Sequence, residues 1–199
     1  MEEVFYRKYK RVLEVLPDVA ACAQGKLVLV GGTALALFHL KHRVSIDLDF
    51  VPVEGDEVGM KRMLKGCLSK KGYRTTASAY TNQFVIQLED TSIKVEVFAP
   101  GKKVAKFEEC GVGNAKMKVA SLEEILALKM ESYAERREAR DLFDMWCAEK
   151  KLGRVSSLRR SVKKHGTPGN MGELESIVVD GDEYESFRKA VEAASGTGD

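Results

Sequence analysis

Gly31 and Gly32, Asp47 and Asp49, and Glu96 are the residues of the first half of the chain whose types and spacing could do chemistry. The glycine pair ends the apolar run LVLV and opens a short helical pattern, residues 33–41, that lacks proline. A Gly-Gly at a strand-to-helix junction lets the backbone approach a ligand and aims helix N–H groups at an anion. Asp47 and Asp49 lie in SIDLDFV, which reads as a strand over residues 45–51. On a strand, alternation places Ser45, Asp47 and Asp49 on one face and Ile46, Leu48 and Phe50 on the other. Two like charges roughly 6–7 Å apart on that face repel each other. A divalent cation removes the repulsion, and carboxylate oxygens suit Mg²⁺ or Mn²⁺. In SIKVEVFAP, Glu96 shares a face with Lys94 and Phe98, opposite Val95 and Val97. If the two acidic strands are neighbours, Glu96 completes a carboxylate triad. Three carboxylates can hold two metal ions that clamp the attacking and leaving oxygens of a phosphoryl or nucleotidyl transfer. Glu96 is also the candidate to take a proton from an attacking hydroxyl. The plain alternative for all three acids is a solvated strand face.

The elements that must position these residues can be read in order. Residues 3–16 place Val4, Phe5, Tyr9, Val12, Leu13 and Leu16 at helical spacing, and Pro17 is expected to end that helix. Residues 26–30 form a buried strand, and Pro52 closes the acidic one. Residues 57–71 read as an amphipathic helix. The period then becomes two over residues 73–80, 83–89 and 92–98, with short turns between, which argues for antiparallel hairpins. Pro100-Gly101 ends the run, and residues 102–114 read as loop before a short strand at 116–119. SLEE, beginning at Ser121, is a capping box opening the clearest helix. Its pattern runs to Lys150, with a break expected near residues 134–138. Residues 153–164, 172–179 and 182–194 read as further helices. The fold class is therefore α+β: a mixed sheet flanked by helices over residues 1–119, a C-terminal helical part over 120–194 packed on it, and a disordered tail at 195–199.

Bulk composition is that of a globular domain. The chain has 199 residues, 44% of them apolar and 31% charged, and a net charge of +2 that by itself points to no partner. Cys22, Cys67, Cys110 and Cys147 share no metal-ligand spacing, so reduced thiols in a cytoplasmic protein are expected. There is no apolar run of membrane-spanning length, and the charged N-terminus lacks a signal-peptide core.

Gly-Gly, a helix, Asp-x-Asp on a strand and a later acidic strand resemble the DNA polymerase β-type nucleotidyltransferase superfamily. Within it, GGTALAL…HRVSIDLDF is similar to the AbiEii/AbiGii toxin family, transferase toxins of type IV toxin–antitoxin systems. The likeness covers residues 28–50 and returns at LALKMESYAERREARDLFDMW, residues 126–146. Family members carry a Lys, an Arg and then Lys-Asp-x-x-Asp; here these fall on Lys129, Arg136, Arg140, Asp141 and Asp144. The resemblance implies a nucleotidyltransferase-type sheet and a metal-dependent transfer of a nucleoside monophosphate from an NTP. Asp47, Asp49 and Glu96 would be catalytic and metal-binding. Gly31, Gly32, Thr33, Arg43, Ser45, Lys129, Arg136 and Asp141 would contact the nucleotide. Two departures stand out: Glu96 replaces the commoner Asp, and Gly32 stands where many relatives of the superfamily have serine. His39 and His42 read as a packed residue and a loop or cap residue. Arg136, Arg140, Asp141 and Asp144 also suit ion pairs on a helix surface.

Residues 150–164 hold Lys150, Lys151, Arg154, Arg159, Arg160, Lys163 and Lys164 and no acid. Such a run suits a nucleic-acid backbone, a solvated face or an acidic partner. The resemblance implies an RNA acceptor such as tRNA, with a protein acceptor as the alternative, and a cognate antitoxin. Two other readings fit the same chain: a non-catalytic nucleotide- or RNA-binding module on this fold, and an antitoxin-like interaction protein. The second leaves the glycine and aspartate pairs unexplained.

Overall fold

The computed structural model describes residues 2–99, 104–154 and 157–196. Pro100-Gly101, residues 102–103 of the expected loop, and residues 197–199 of the expected tail lie outside them. The chain forms two units: Met1–Ala34 with Ser45–Ser121, and Leu35–Val44 with Leu122–Asp199. The second is therefore discontinuous, because the stretch after the glycine pair groups with the C-terminal helices.

The first unit begins with α1 (Glu2–Ala23) and β1 (Leu27–Val30), followed by the single turn α2 (Gly31–Ala34); the π-helical turn that follows it in the chain, Leu35–His39, belongs to the second unit. Next come β2 (Leu48–Pro52), α3 (Glu57–Lys70), β3 (Arg74–Ala77), β4 (Gln83–Gln87), β5 (Ser92–Val97), β6 (Phe107–Val112) and β7 (Ala115–Ala120). The strands make one mixed sheet in the order β3-β4-β5-β2-β1-β7-β6. LVLV of β1 is buried at all four positions, as a central strand covered on both faces requires. β2 runs antiparallel to β1 and parallel to β5, setting Asp49 opposite Val30 on one side and Glu96 on the other. β5 alternates half-buried and buried positions, so Val95 and Val97 face the core while Lys94 and Glu96 do not. α1 and α3 pack on each other and on β5, and Val12, Leu16 and Val19 on α1 and Leu64 and Leu68 on α3 are buried.

The structure departs from the sequence pattern at several points. α1 runs through Pro17 to Ala23. The carbonyl that a proline leaves without its helical partner is that of Leu13, a residue that is itself exposed. The acidic strand starts at Leu48, leaving Ser45 and Asp47 in the irregular segment before it, while its end falls at Pro52 as expected. The expected loop before residue 115 holds β6, which pairs with β7 across Gly113-Asn114. β6 is the edge of the sheet and mostly half-buried or exposed, so FEECGV shows no core alternation. The cysteines are not all reduced: Cys22 at the end of α1 and Cys67 in α3 form a disulfide across 45 residues. Neighbouring helices bring together two thiols that sequence spacing kept apart. Cys110 and Cys147 are free thiols.

The second unit holds α4 (Leu122–Arg136), α5 (Ala139–Lys151), α6 (Ser157–His165), α7 (Met171–Glu175) and α8 (Gly181–Ser195). Gly196 caps α8 in a left-handed conformation, so the expected disordered tail is ordered over its first two residues. The break after α4 falls at Arg137, whose φ of 54° ends the helix. Tyr133 donates its hydroxyl to the Gly166 carbonyl at 2.7 Å. Phe143 on α5 meets Phe187 on α8 edge to face, with ring centres 5.1 Å apart. Glu149 accepts from the Ser157 backbone N–H at 3.0 and 3.1 Å, an acidic cap at the start of α6. The segment Leu35–Val44 is tied in by the Arg43↔Val178 bridge, with Val44 N–H donating to Ile177 at 2.8 Å and Val179 N–H donating to His42 at 3.0 Å. Among the described residues no helix is long and apolar enough to cross a membrane.

Candidate active site

In the first unit the glycine junction and the acidic strands meet. Gly31 has a φ of +72°, and a Cβ placed on it would lie 2.6 Å from Asp49 Oδ2. Only glycine suits both the conformation and the proximity of that carboxylate. Thr33, fully buried, donates its hydroxyl to the Asp47 carbonyl and is hydrogen-bonded to the Ser45 hydroxyl at 3.0 Å. The start of α2 is thereby tied to the segment carrying Asp47. Thr33 and Ser45 hold the site's backbone in shape.

The carboxylates have partners that spacing alone did not supply. Lys94 Nζ lies 3.1 Å from Asp47 Oδ2. Half-burial pushes the Lys94 ammonium down, but Asp47, aided by Asp49 and Glu96, outweighs it and raises its pKa. Asn82 donates to Glu96 Oε1 at 2.8 Å, and Gln83 donates to Oε2 at 3.0 Å. Gln83 stands directly across the β4–β5 ladder from Glu96. Alternation on β5 already put Lys94 on the Glu96 face; Asn82 was hidden because a turn residue gives no register before the strands are paired. Among the described residues no group of three or more His, Cys, Asp or Glu is gathered as a metal cage.

The donor chemistry nevertheless fits a hard divalent ion. Asp47 carries a lysine ammonium, a cation already standing at one carboxylate. Asp49 lies where glycine alone leaves room. Glu96 would join by letting go of one amide.

The second unit gathers the other predicted residues around two buried aspartates. Asp144 is fully buried and receives Arg43 as a fork, Nε to Oδ1 at 2.6 Å and Nη2 to Oδ2 at 2.8 Å. His42 Nε2 reaches Oδ1 at 2.7 Å, and Lys129 Nζ reaches Oδ2 at 2.6 Å. Lys129 also donates to Asp141 at 2.8 Å, and Arg136 completes a second fork on Asp141 at 2.6 and 2.8 Å. Burial alone would raise Asp144, but Arg43 and Lys129 hold it well below the usual carboxylate range. Lys129 and Arg136 likewise overcome burial at Asp141 and keep it low. Burial pushes His42 down despite Asp144. Among the described residues its buried Nδ1 has no hydrogen-bond partner, as suits a neutral ring that donates through Nε2. Asp144 thus pairs with Arg43 and Lys129 inside the unit, where a surface pair with Arg140 was an alternative. His42 does lie in irregular backbone, as expected, but its ring is buried in this network. Arg136 keeps nearly half its side chain exposed.

A mixed sheet that delivers an Asp-x-Asp pair beside a glycine turn is the nucleotidyltransferase arrangement, and solved structures share the fold. JHP933 from Helicobacter pylori matches with a TM-score of 0.56 at 18% identity, covering 95% of each chain. An antigenic nucleotidyltransferase-like protein from Paracoccidioides brasiliensis matches at 0.54 and 16% identity, over 79% of this chain and 87% of its own. The antibiotic-resistance factor ANT(2'')-Ia matches at 0.50 and 13% identity, over 94% and 95%. A search of curated proteins gives no match. The family described as nucleotidyl transferase AbiEii toxin, type IV TA system, matches residues 18–195, and the chain belongs to that family. It is a nucleotidyltransferase, with an NTP as its substrate and a toxin–antitoxin system as its setting.

Proposed function

We propose that this enzyme moves a nucleoside monophosphate from an NTP to a hydroxyl of an RNA, and that Asp47, Asp49 and Glu96 carry the reaction with Mg²⁺ or Mn²⁺. The observation that supports this best is the Asp49 carboxylate standing against Gly31, with Glu96 in register one strand away. Backbone N–H groups at Gly31, Gly32 and Thr33 would hold phosphate oxygens, since the first turn of a helix leaves such donors unpaired. Asp47 and Asp49, with Glu96, would hold the ion, which when bound neutralises phosphate charge and stabilises the developing charge on the oxygens in transfer. Glu96 would accept the acceptor's proton once one of its amide partners is released. Within the second unit, the half-exposed Arg136, its angle fixed by Asp141 and Lys129, would be the member of the buried network open to an anion such as a phosphate.

An RNA acceptor is favoured by α6. Arg159, Arg160, Lys163 and Lys164 are exposed there and have no partner among the described residues. Lys150, by contrast, pairs with Glu183 and lies over Trp146, while Lys151 reaches the His39 carbonyl at 2.5 Å.

The test is incubation with each α-labelled NTP and total RNA. Label should enter RNA with release of pyrophosphate, and Asp47→Ala with Asp49→Ala should abolish it. Labelling that survives the double change overturns the site; label in protein alone overturns the acceptor.

A further inference from the structure

Lys94 is a cation that the structure sets directly on a carboxylate of the proposed site. It projects from β5 two residues before Glu96, on the same face of the strand. Its ammonium lies 3.1 Å from Asp47 Oδ2, and both side chains are partly exposed, at 39% and 31%. Thr33 donates its hydroxyl to the Asp47 carbonyl, so the backbone at Asp47 is held while its carboxylate answers to Lys94. A salt bridge this accessible can open without a large rearrangement. An ammonium in this place also does two things at once: it offsets the repulsion between Asp47 and Asp49, and it occupies an oxygen that a metal ion would need.

We propose that Lys94 is a positioning residue that competes with the divalent cation for Asp47, holding the carboxylate in place before the ion arrives and setting how tightly the ion binds. The proposal rests on the reading of Asp47 and Asp49 as metal-binding carboxylates. It concerns the strength of binding and not the number of ions. One unit charge about 3 Å away in water-like surroundings is worth about a tenfold change in an equilibrium constant.

The experiment is a Mn²⁺ titration without nucleotide, read by the loss of the free-ion electron paramagnetic resonance signal. It compares the unaltered chain with Lys94→Met, Lys94→Arg and Asp47→Asn, each first checked for an unchanged thermal midpoint. Lys94→Met should bind Mn²⁺ about tenfold more tightly at the same stoichiometry. Lys94→Arg should bind as the unaltered chain does, and Asp47→Asn should bind weakly or not at all. If Asp47→Asn loses the ion while Lys94→Met leaves the affinity unchanged or weakens it, Lys94 is not a competitor and the proposal fails while the site stands. If the unaltered chain does not bind Mn²⁺, or Asp47→Asn binds it equally well, the site reading fails and takes the proposal with it. An affinity gained equally in Lys94→Arg would place the effect in lysine packing and overturn the charge argument.

Discussion

Asp144 shows how a single side chain can be worth more than its hydrogen bonds. Its carboxylate is fully buried and collects Arg43, Lys129 and His42. Removing one charge from such a set leaves cations in low dielectric without compensation. Asp144→Asn should therefore destabilise the protein by about 3–5 kcal/mol, measured by chemical denaturation. The same residues set a pH dependence. Folded His42 titrates below its ordinary 6.5, and folded Asp141 and Asp144 titrate below 3.8. In each case the unfolded chain takes up protons that the folded chain refuses, so stability rises with pH across these windows. It should be fully present above about 6.5, decline as pH falls and His42 protonates in the unfolded state, and decline further below about 4 as the aspartates follow. Denaturation midpoints at stepped pH check this, and a midpoint that climbs from pH 7 to 5 contradicts a neutral buried His42. Type and spacing made the carboxylates of the first unit legible. They did not reveal that Arg43 and His42 would face a residue a hundred positions away, because an ion pair of that separation leaves no periodic trace.

Elements were readable where one face is buried and the other is wet. β4 and β5 alternate cleanly, and their hairpin was expected within a residue or two of where it lies. β6 escaped because an edge strand has little core to pattern against. The helix α1 exceeds its expected end because Pro17 normally ends a helix, and nothing local tells that the residue losing its partner, Leu13, is exposed. The irregular start of the acidic strand, residues 45–47, is held by Thr33 hydroxyl bonds that alternation cannot express. The α1–α3 packing was equally silent, yet it carries the Cys22–Cys67 link. A bridge closing 45 residues removes unfolded-state freedom worth about 4 kcal/mol. Reduction, or Cys22→Ser with Cys67→Ser, should lower the thermal midpoint by several degrees, read with and without dithiothreitol. A midpoint unmoved by reductant would mean that the two thiols are not joined in solution.

At the scale of the molecule, charge is more telling than composition. A net charge of +2 spread over 199 residues conceals the exposed row Arg159, Arg160, Lys163 and Lys164 on α6. If this row meets an RNA backbone, binding should weaken linearly with the logarithm of salt concentration. Arg159→Glu with Lys163→Glu should weaken binding uniformly across RNA sequences and flatten that dependence by about one unit for each phosphate no longer neutralised. Filter binding at four salt concentrations measures it. An unchanged slope would move the acceptor's docking surface elsewhere. The α+β class and the helical C-terminal half were both readable from the change of period after residue 120. The detour of residues 35–44 was not, since a ten-residue stretch carries no mark of the unit to which it belongs.

That detour bears on how such a chain can change over generations. The helical unit is inherited in two pieces, and the shorter one lies inside the coding stretch of the sheet unit. A recombination with one breakpoint near residue 121 would bring in a new set of helices while keeping the old Arg43 and His42, which would then face whatever stands at position 144. Unless the donor also carries an aspartate there, the hybrid starts with a buried arginine and no counter-charge. Exchange of the helical unit therefore calls for two breakpoints or a matching partner, and residues 43 and 144 are expected to change together or not at all.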